Sequence, residues 1–224
     1  TIKFDSSLEL GSVFNRVLGS AFNADSPNPS DPLFLQFRVK TTNPKVYPIL
    51  ADAIGTTMSS KLYVGKVNDS TLLKNLMGKI VIVMDKTSNQ ALYLKDNGCG
   101  NSKSCSNIMN FIHMESGSER IRSARYSEIL ERQTNPPQVR DDNDTTTVPY
   151  IQIATPDINY RVVSNPELHP FVLKFGCQIV MYRFFNKDSH LEEYEDFFDT
   201  FKTAFVPLSR AIPELQHKNE VDNS

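Results

Sequence analysis

The run Lys174-Phe175-Gly176-Cys177-Gln178-Ile179-Val180-Met181-Tyr182-Arg183-Phe184-Phe185 narrows most what this chain can become. It is rich in β-branched and aromatic residues, is entered through a glycine and is left through the polar turn Asn186-Lys187-Asp188, the pattern of a buried strand. Immediately after it, Leu191, Tyr194, Phe197, Phe198 and Phe201 recur at helical spacing, with Ser189 placed as an N-cap and acids in the first turns. A second run, Lys79-Ile-Val-Ile-Val-Met84, is apolar without alternation, as expected of a parallel strand covered on both faces. Strands of this kind interleaved with amphipathic helices imply an α/β chain built on a parallel sheet.

The remaining segments fit that class. Residues 7–22 have helical periodicity, ended by Gly19 and the Asn23–Asp31 turn cluster. Residues 32–39 read as a strand, Asn43-Pro44 opens a helix to about Met58, and Lys61–Val64 is extended. Residues 70–77 predict a short helix ended by Gly78. Further strands are predicted at 108–114 and 148–154, with a short one at Ala91–Leu94 and a short helix at Tyr126–Arg132. Gln133–Thr147 is polar and turn-rich, and His217–Ser224 resembles a frayed end.

Composition excludes several partners. With a net charge of −2 over 224 residues there is no electrostatic case for nucleic acid. No apolar run reaches about 18 residues, so no membrane span is predicted. Cys99, Cys105 and Cys177 are too few for a disulfide framework. Cys99 and Cys105 share a loop that could bridge them or leave two thiols, and Cys177 reads as a small core residue. Thr1 is not an initiator, so a processed or partial product is expected.

Several motifs occur in a suggestive order: Asp31-Pro-Leu-Phe-Leu-Gln-Phe-Arg38, Tyr47-Pro-Ile-Leu-Ala-Asp-Ala-Ile-Gly55, Lys61-Leu-Tyr63, Gly78-Lys-Ile-Val-Ile-Val-Met-Asp-Lys86 and Gly176-Cys-Gln178. Together they resemble the fourth and fifth strands, their connecting segments and the last strand of the catalytic barrel in phosphatidylinositol-specific phospholipases C. Met114-Glu-Ser-Gly-Ser, Arg125-Tyr-Ser127, Ala154-Thr-Pro-Asp157 and Ser164-Asn-Pro166 are similar to phospholipase-C-like proteins of large double-stranded DNA viruses. The resemblance implies an incomplete (β/α)8 TIM-barrel-like fold whose first strands would precede Thr1. Residues 1–206 would then be its C-terminal part, and 207–224 an extension or tail. About five main strands are predicted, against the eight of a complete barrel.

The family's chemistry is not matched. Its two catalytic histidines would precede Thr1, and His113, His169, His190 and His217 stand in other settings. The metal-binding acid that ends the fourth strand corresponds to Arg38, which cannot ligate a cation. The phosphate-gripping lysines correspond to Val83 and Asp85. No cofactor is expected, the family's calcium site being lost. The resemblance therefore implies a non-catalytic structural or interaction module, with a virion component among the expectations. The alternative is a phosphoinositide phosphodiesterase completed by an absent N-terminal segment or a partner chain. A protein partner or the missing segment would cover the open sheet edges.

Three cations are candidate phosphate ligands, a phosphoinositide headgroup being the implied source. Arg38 and Lys40 lie at a strand's carboxyl end; the plainer reading of Arg38 is a salt bridge, with Asp85 as its partner. Arg183 alternates with Cys177, Ile179 and Met181 on one strand face, and is either a phosphate ligand or a structural ion pair. His113 with Glu115 could do acid–base work, but a hydrogen-bonded structural histidine is the plainer reading.

Overall fold

The computed structural model describes residues 9–24, 26, 28–68, 70–87, 106–134, 136, 138–140, 145–147, 150–157 and 164–222. The chain divides into two compact units, Thr1–Gly117 and Ser118–Ser224. The predicted strand at Ala91–Leu94 and the Cys99–Cys105 loop lie outside the described residues.

The first unit is a three-stranded parallel sheet in the order β1-β2-β3, built from β1 (Leu33–Phe37), β2 (Ile80–Asp85) and β3 (Met114–Ser116). Leu33 pairs with Ile80 and Val83 with Met114. Every residue of β2 is buried, which is why its sequence does not alternate. Successive side chains still leave to opposite faces. Ile80, Ile82 and Met84 join a core with α1 (Leu10–Ala21) and α2 (Val46–Met58), whereas Val81 and Val83 pack with Leu76, Phe34, Tyr63 and Met114. Burial of each of Leu50, Ile54 and Met58 from α2 contributes about 1.5–3 kcal/mol.

The second unit has its own parallel sheet in the order β4-β7-β8, from β4 (Ile121–Arg125), β7 (Ile151–Thr155) and β8 (Ile179–Val180). Helix α3 (Tyr126–Leu130) follows β4 directly, and β5 (Gln138–Arg140) pairs antiparallel with β6 (Thr145–Thr147). Helices α4 (Leu168–Leu173), α5 (Ser189–Phe201) and α6 (Leu208–Asp222) complete the unit. Its core includes Phe171, Cys177, Leu191, Phe197 and Leu215. The predicted tail at 207–224 is thus mostly helix α6, which places Ala211, Ile212 and Leu215 in the core.

The expected (β/α)8 barrel is not formed. The described parallel strands make two open sheets of three, each with two edges, and no sheet closes. The physical reason lies at 117–120. β3 ends at Ser116 and β4 begins at Ile121, and a link this short cannot carry the crossover of a dozen or more residues that parallel neighbours need. Gly117 makes the break: its φ is +88°, and a Cβ there would sit 2.3 Å from Thr87 Cγ2.

Two predicted strands also shorten. Within 108–114, the Asn107 side chain accepts from Met109 N and winds Ile108–Asn110 into a 3-10 turn, so the strand begins only at Met114. Within the predicted strand of 174–185, Gly176 has φ +63° and only Ile179–Val180 is strand. The helix after it is capped by Asp188, whose side chain accepts from Leu191 N at 3.0 Å, one residue before the predicted cap. No described helix is long and apolar enough to cross a membrane.

Candidate functional site

Parallel sheets place their ligand sites beyond the carboxyl ends of the strands, so those two ends are where function is sought. In the first unit the end is closed by its own ion pair. Arg38 Nε donates to Asp85 Oδ2 at 2.7 Å, and the Asp85 side chain is fully buried. Asp85 Oδ1 accepts from both Thr87 N (2.9 Å) and Thr87 Oγ1 (2.6 Å). Gln36 Nε2 donates to Ser116 Oγ at 2.8 Å across the same end. Arg38 therefore takes the salt-bridge role. Lys40 is exposed and does not join this cluster through any described hydrogen bond or ion pair.

His113 is structural. It is 5% exposed, Nδ1 accepts from Ile82 N at 2.8 Å and Nε2 lies 2.7 Å from Tyr63 O. A carbonyl can only accept, so Nε2 carries the proton and the ring is neutral. Burial lowers its pKa against the raising effect of the Tyr63 bond, and Lys66 lowers it further. Both ring nitrogens are committed to backbone, which leaves neither for acid–base work with Glu115.

The second unit presents a different end. Arg183 follows β8, is 5% exposed, and lies over the Tyr126 ring with Cζ 5.9 Å from the centroid. Its Nη2 donates to Asp157 O at 3.1 Å and Nη1 to Ser164 O at 3.5 Å. Nε is buried with no hydrogen-bond partner. No described carboxylate lies within ion-pair distance of this guanidinium. The structural ion pair offered as one reading of Arg183 is thus not made among the described residues.

Around it, the three strand ends contribute a polar rim. From α3, Ser127 Oγ donates to Asp157 Oδ1 at 2.6 Å. Tyr126 donates its hydroxyl to Met181 O, and burial raises its pKa although Arg183 opposes the shift. Thr155 Oγ1 donates to Ala124 O at 3.1 Å and ties β7 to β4. Asn165, 1% exposed, grips the Arg183 backbone. Sequence inspection singles out Arg183 by its place on a strand face. Tyr126, Ser127, Asp157 and Asn165 appear there only inside short motifs, and nothing in their spacing says that those motifs meet around one guanidinium.

Elsewhere, Cys177 is fully buried in the core, and burial pushes its thiol up to about 12. Among the described residues no three His, Cys, Asp or Glu side chains come together as a metal site.

No family model matches the sequence, and no curated protein matches it. The expectation of a phospholipase-C-like barrel module, structural or enzymatic, falls with the barrel: the chain forms open three-stranded sheets. The expected non-catalytic module with its virion reading, and the phosphodiesterase alternative, assumed that barrel and are not supported without it.

Proposed function

We propose that this chain binds a phosphate-type oxyanion at the carboxyl end of the β4-β7-β8 sheet, with Arg183 as the principal ligand. The observation that carries this is the buried, unpartnered Nε of Arg183. A desolvated charge without a counter-charge is costly, and an unmade hydrogen bond from it adds about 1–3 kcal/mol. An oxyanion removes both penalties together. Nε–H is one prong of the fork with which a guanidinium holds phosphate. The carbonyls of Asp157 and Ser164 orient the group from the protein side without neutralising it.

Kinship with the phosphatidylinositol-specific phospholipases C is part of the proposal in a reduced form. It is supported by motif order alone, through Asp31–Arg38, Tyr47–Gly55, Lys61–Tyr63, Gly78–Lys86 and Gly176–Gln178, while the Arg125–Ser127, Ala154–Asp157 and Ser164–Pro166 segments near Arg183 are the ones similar to the viral phospholipase-C-like proteins. It carries no claim of a barrel or of cleavage.

The test is a titration of the full chain with inorganic phosphate, followed on the Arg183 Nε–Hε resonance, with sodium chloride at matched ionic strength as control. A saturable shift with phosphate, absent with chloride and abolished in Arg183→Met, is expected. An Nε–Hε resonance that does not respond to phosphate overturns the proposal.

A further inference from the structure

We propose that Asn165 is the positioning residue of this site, an inference that rests on the anion-binding role of Arg183. β8 is only two residues long, and its last ladder bond is Met181 N to Ala154 O at 3.0 Å. Two residues later, Arg183 has left the ladder, and its backbone needs another partner. The Asn165 side chain supplies it. Oδ1 accepts from Arg183 N at 2.7 Å, and Nδ2 lies 3.3 Å from Arg183 O, which also accepts from Asn186 N at 3.0 Å. That reciprocal pair is what a neighbouring strand would offer, made here by one primary amide.

Asn165 is itself held from several sides. Its backbone N donates to Asp188 Oδ2 at 2.7 Å, and its carbonyl accepts from His190 Nδ1 at 2.6 Å. Nδ2 also reaches Asn186 O at 3.0 Å and Asp188 Oδ1 at 3.2 Å. One buried amide thus spans the turn from Arg183 to Asp188 and fixes the Arg183 backbone. With the backbone fixed, the guanidinium is directed at the carbonyls of Asp157 and Ser164, and the buried Nε is left without a protein partner. Aspartate cannot substitute. It would accept from Arg183 N, but it would face Arg183 O, Asn186 O and the Asp188 carboxylate without a proton to donate.

The experiment compares Asn165→Ala and Asn165→Asp with Leu215→Ala. Leu215 is a buried α6 residue whose truncation destabilises the second unit through its core and not through the site. Two quantities are read for each: the position of the ligand-free Arg183 Nε–Hε resonance and the dissociation constant for inorganic phosphate. Both Asn165 variants are expected to move the resonance and weaken phosphate by about tenfold or more. Leu215→Ala is expected to lower stability while leaving both quantities in place. If neither Asn165 variant folds, Asn165→Ser, which keeps a small side chain able to accept from Arg183 N, decides. Asn165 variants with the wild-type resonance and affinity overturn the positioning role. If the wild type binds no phosphate, the anion-binding role fails, and the ligand-free resonance decides the positioning role by itself.

Discussion

Replacing His113 with leucine removes two buried hydrogen bonds at once, and its consequence depends on pH in a way that can be worked out beforehand. The ring accepts from Ile82 N in β2 and donates to Tyr63 O in the preceding extended segment. Leucine fills the space but leaves a buried N–H and a buried carbonyl unpaired, for a loss of about 2–4 kcal/mol near neutral pH. The pH term follows from the lowered pKa of the folded-state ring. Above the unfolded pKa of about 6.5, both states hold neutral imidazole and the contribution of His113 is complete. As pH falls below that value, the unfolded chain takes up a proton that the folded chain refuses. Stability is then lost at about 1.4 kcal/mol per pH unit until the folded pKa is reached. Urea unfolding of wild type and His113→Leu at about pH 7.5 and about pH 5.5 isolates this residue, because the other histidines cancel in the difference. The stability gap should narrow at the lower pH. A gap independent of pH, or a His113 ring that titrates in the folded protein like a free imidazole, would refute the reasoning.

Two further outcomes are expected. Asp85→Ala strands Thr87 N and Arg38 Nε together and should cost about 1–3 kcal/mol in urea unfolding; the partial exposure of Arg38 limits the ion-pair share. An unchanged midpoint would mean that the cluster at the end of the first sheet is not structural. Cys177, buried and with its thiol pushed up to about 12 by burial, should resist a disulfide-exchange reagent in the native protein and react only on unfolding. In a Cys99→Ser, Cys105→Ser background, rapid native-state labelling would contradict its placement in the core.

What the sequence revealed and what it concealed follow one physical division. Helices α1 and α5 were legible from their apolar spacing, α2 from the Asn43-Pro44 start, and β2 because a run without alternation is covered on both faces. Pairing is another matter. An apolar run reports burial, but it does not say which strand lies beside it, and a parallel partner is set by the length of the connection. Met114–Ser116 and Ile121–Arg125 are short and only partly apolar, so they do not stand out as two strands, and with them the break between the sheets was hidden. The same limit governs the site. Arg183 was visible as a cation on a strand face, where an ion pair and an anion ligand read alike. What separates the two is whether an acid reaches the guanidinium, and the nearest groups reach it with main-chain carbonyls while the Asp157 carboxylate is turned to Ser127. A residue type records a capacity for bonding, whereas the bonds made depend on which backbone atoms the fold delivers. That is why Asn165, a polar residue in a turn-like motif by sequence, is the side chain that, among the described residues, bonds the Arg183 main chain at both its donor and its acceptor.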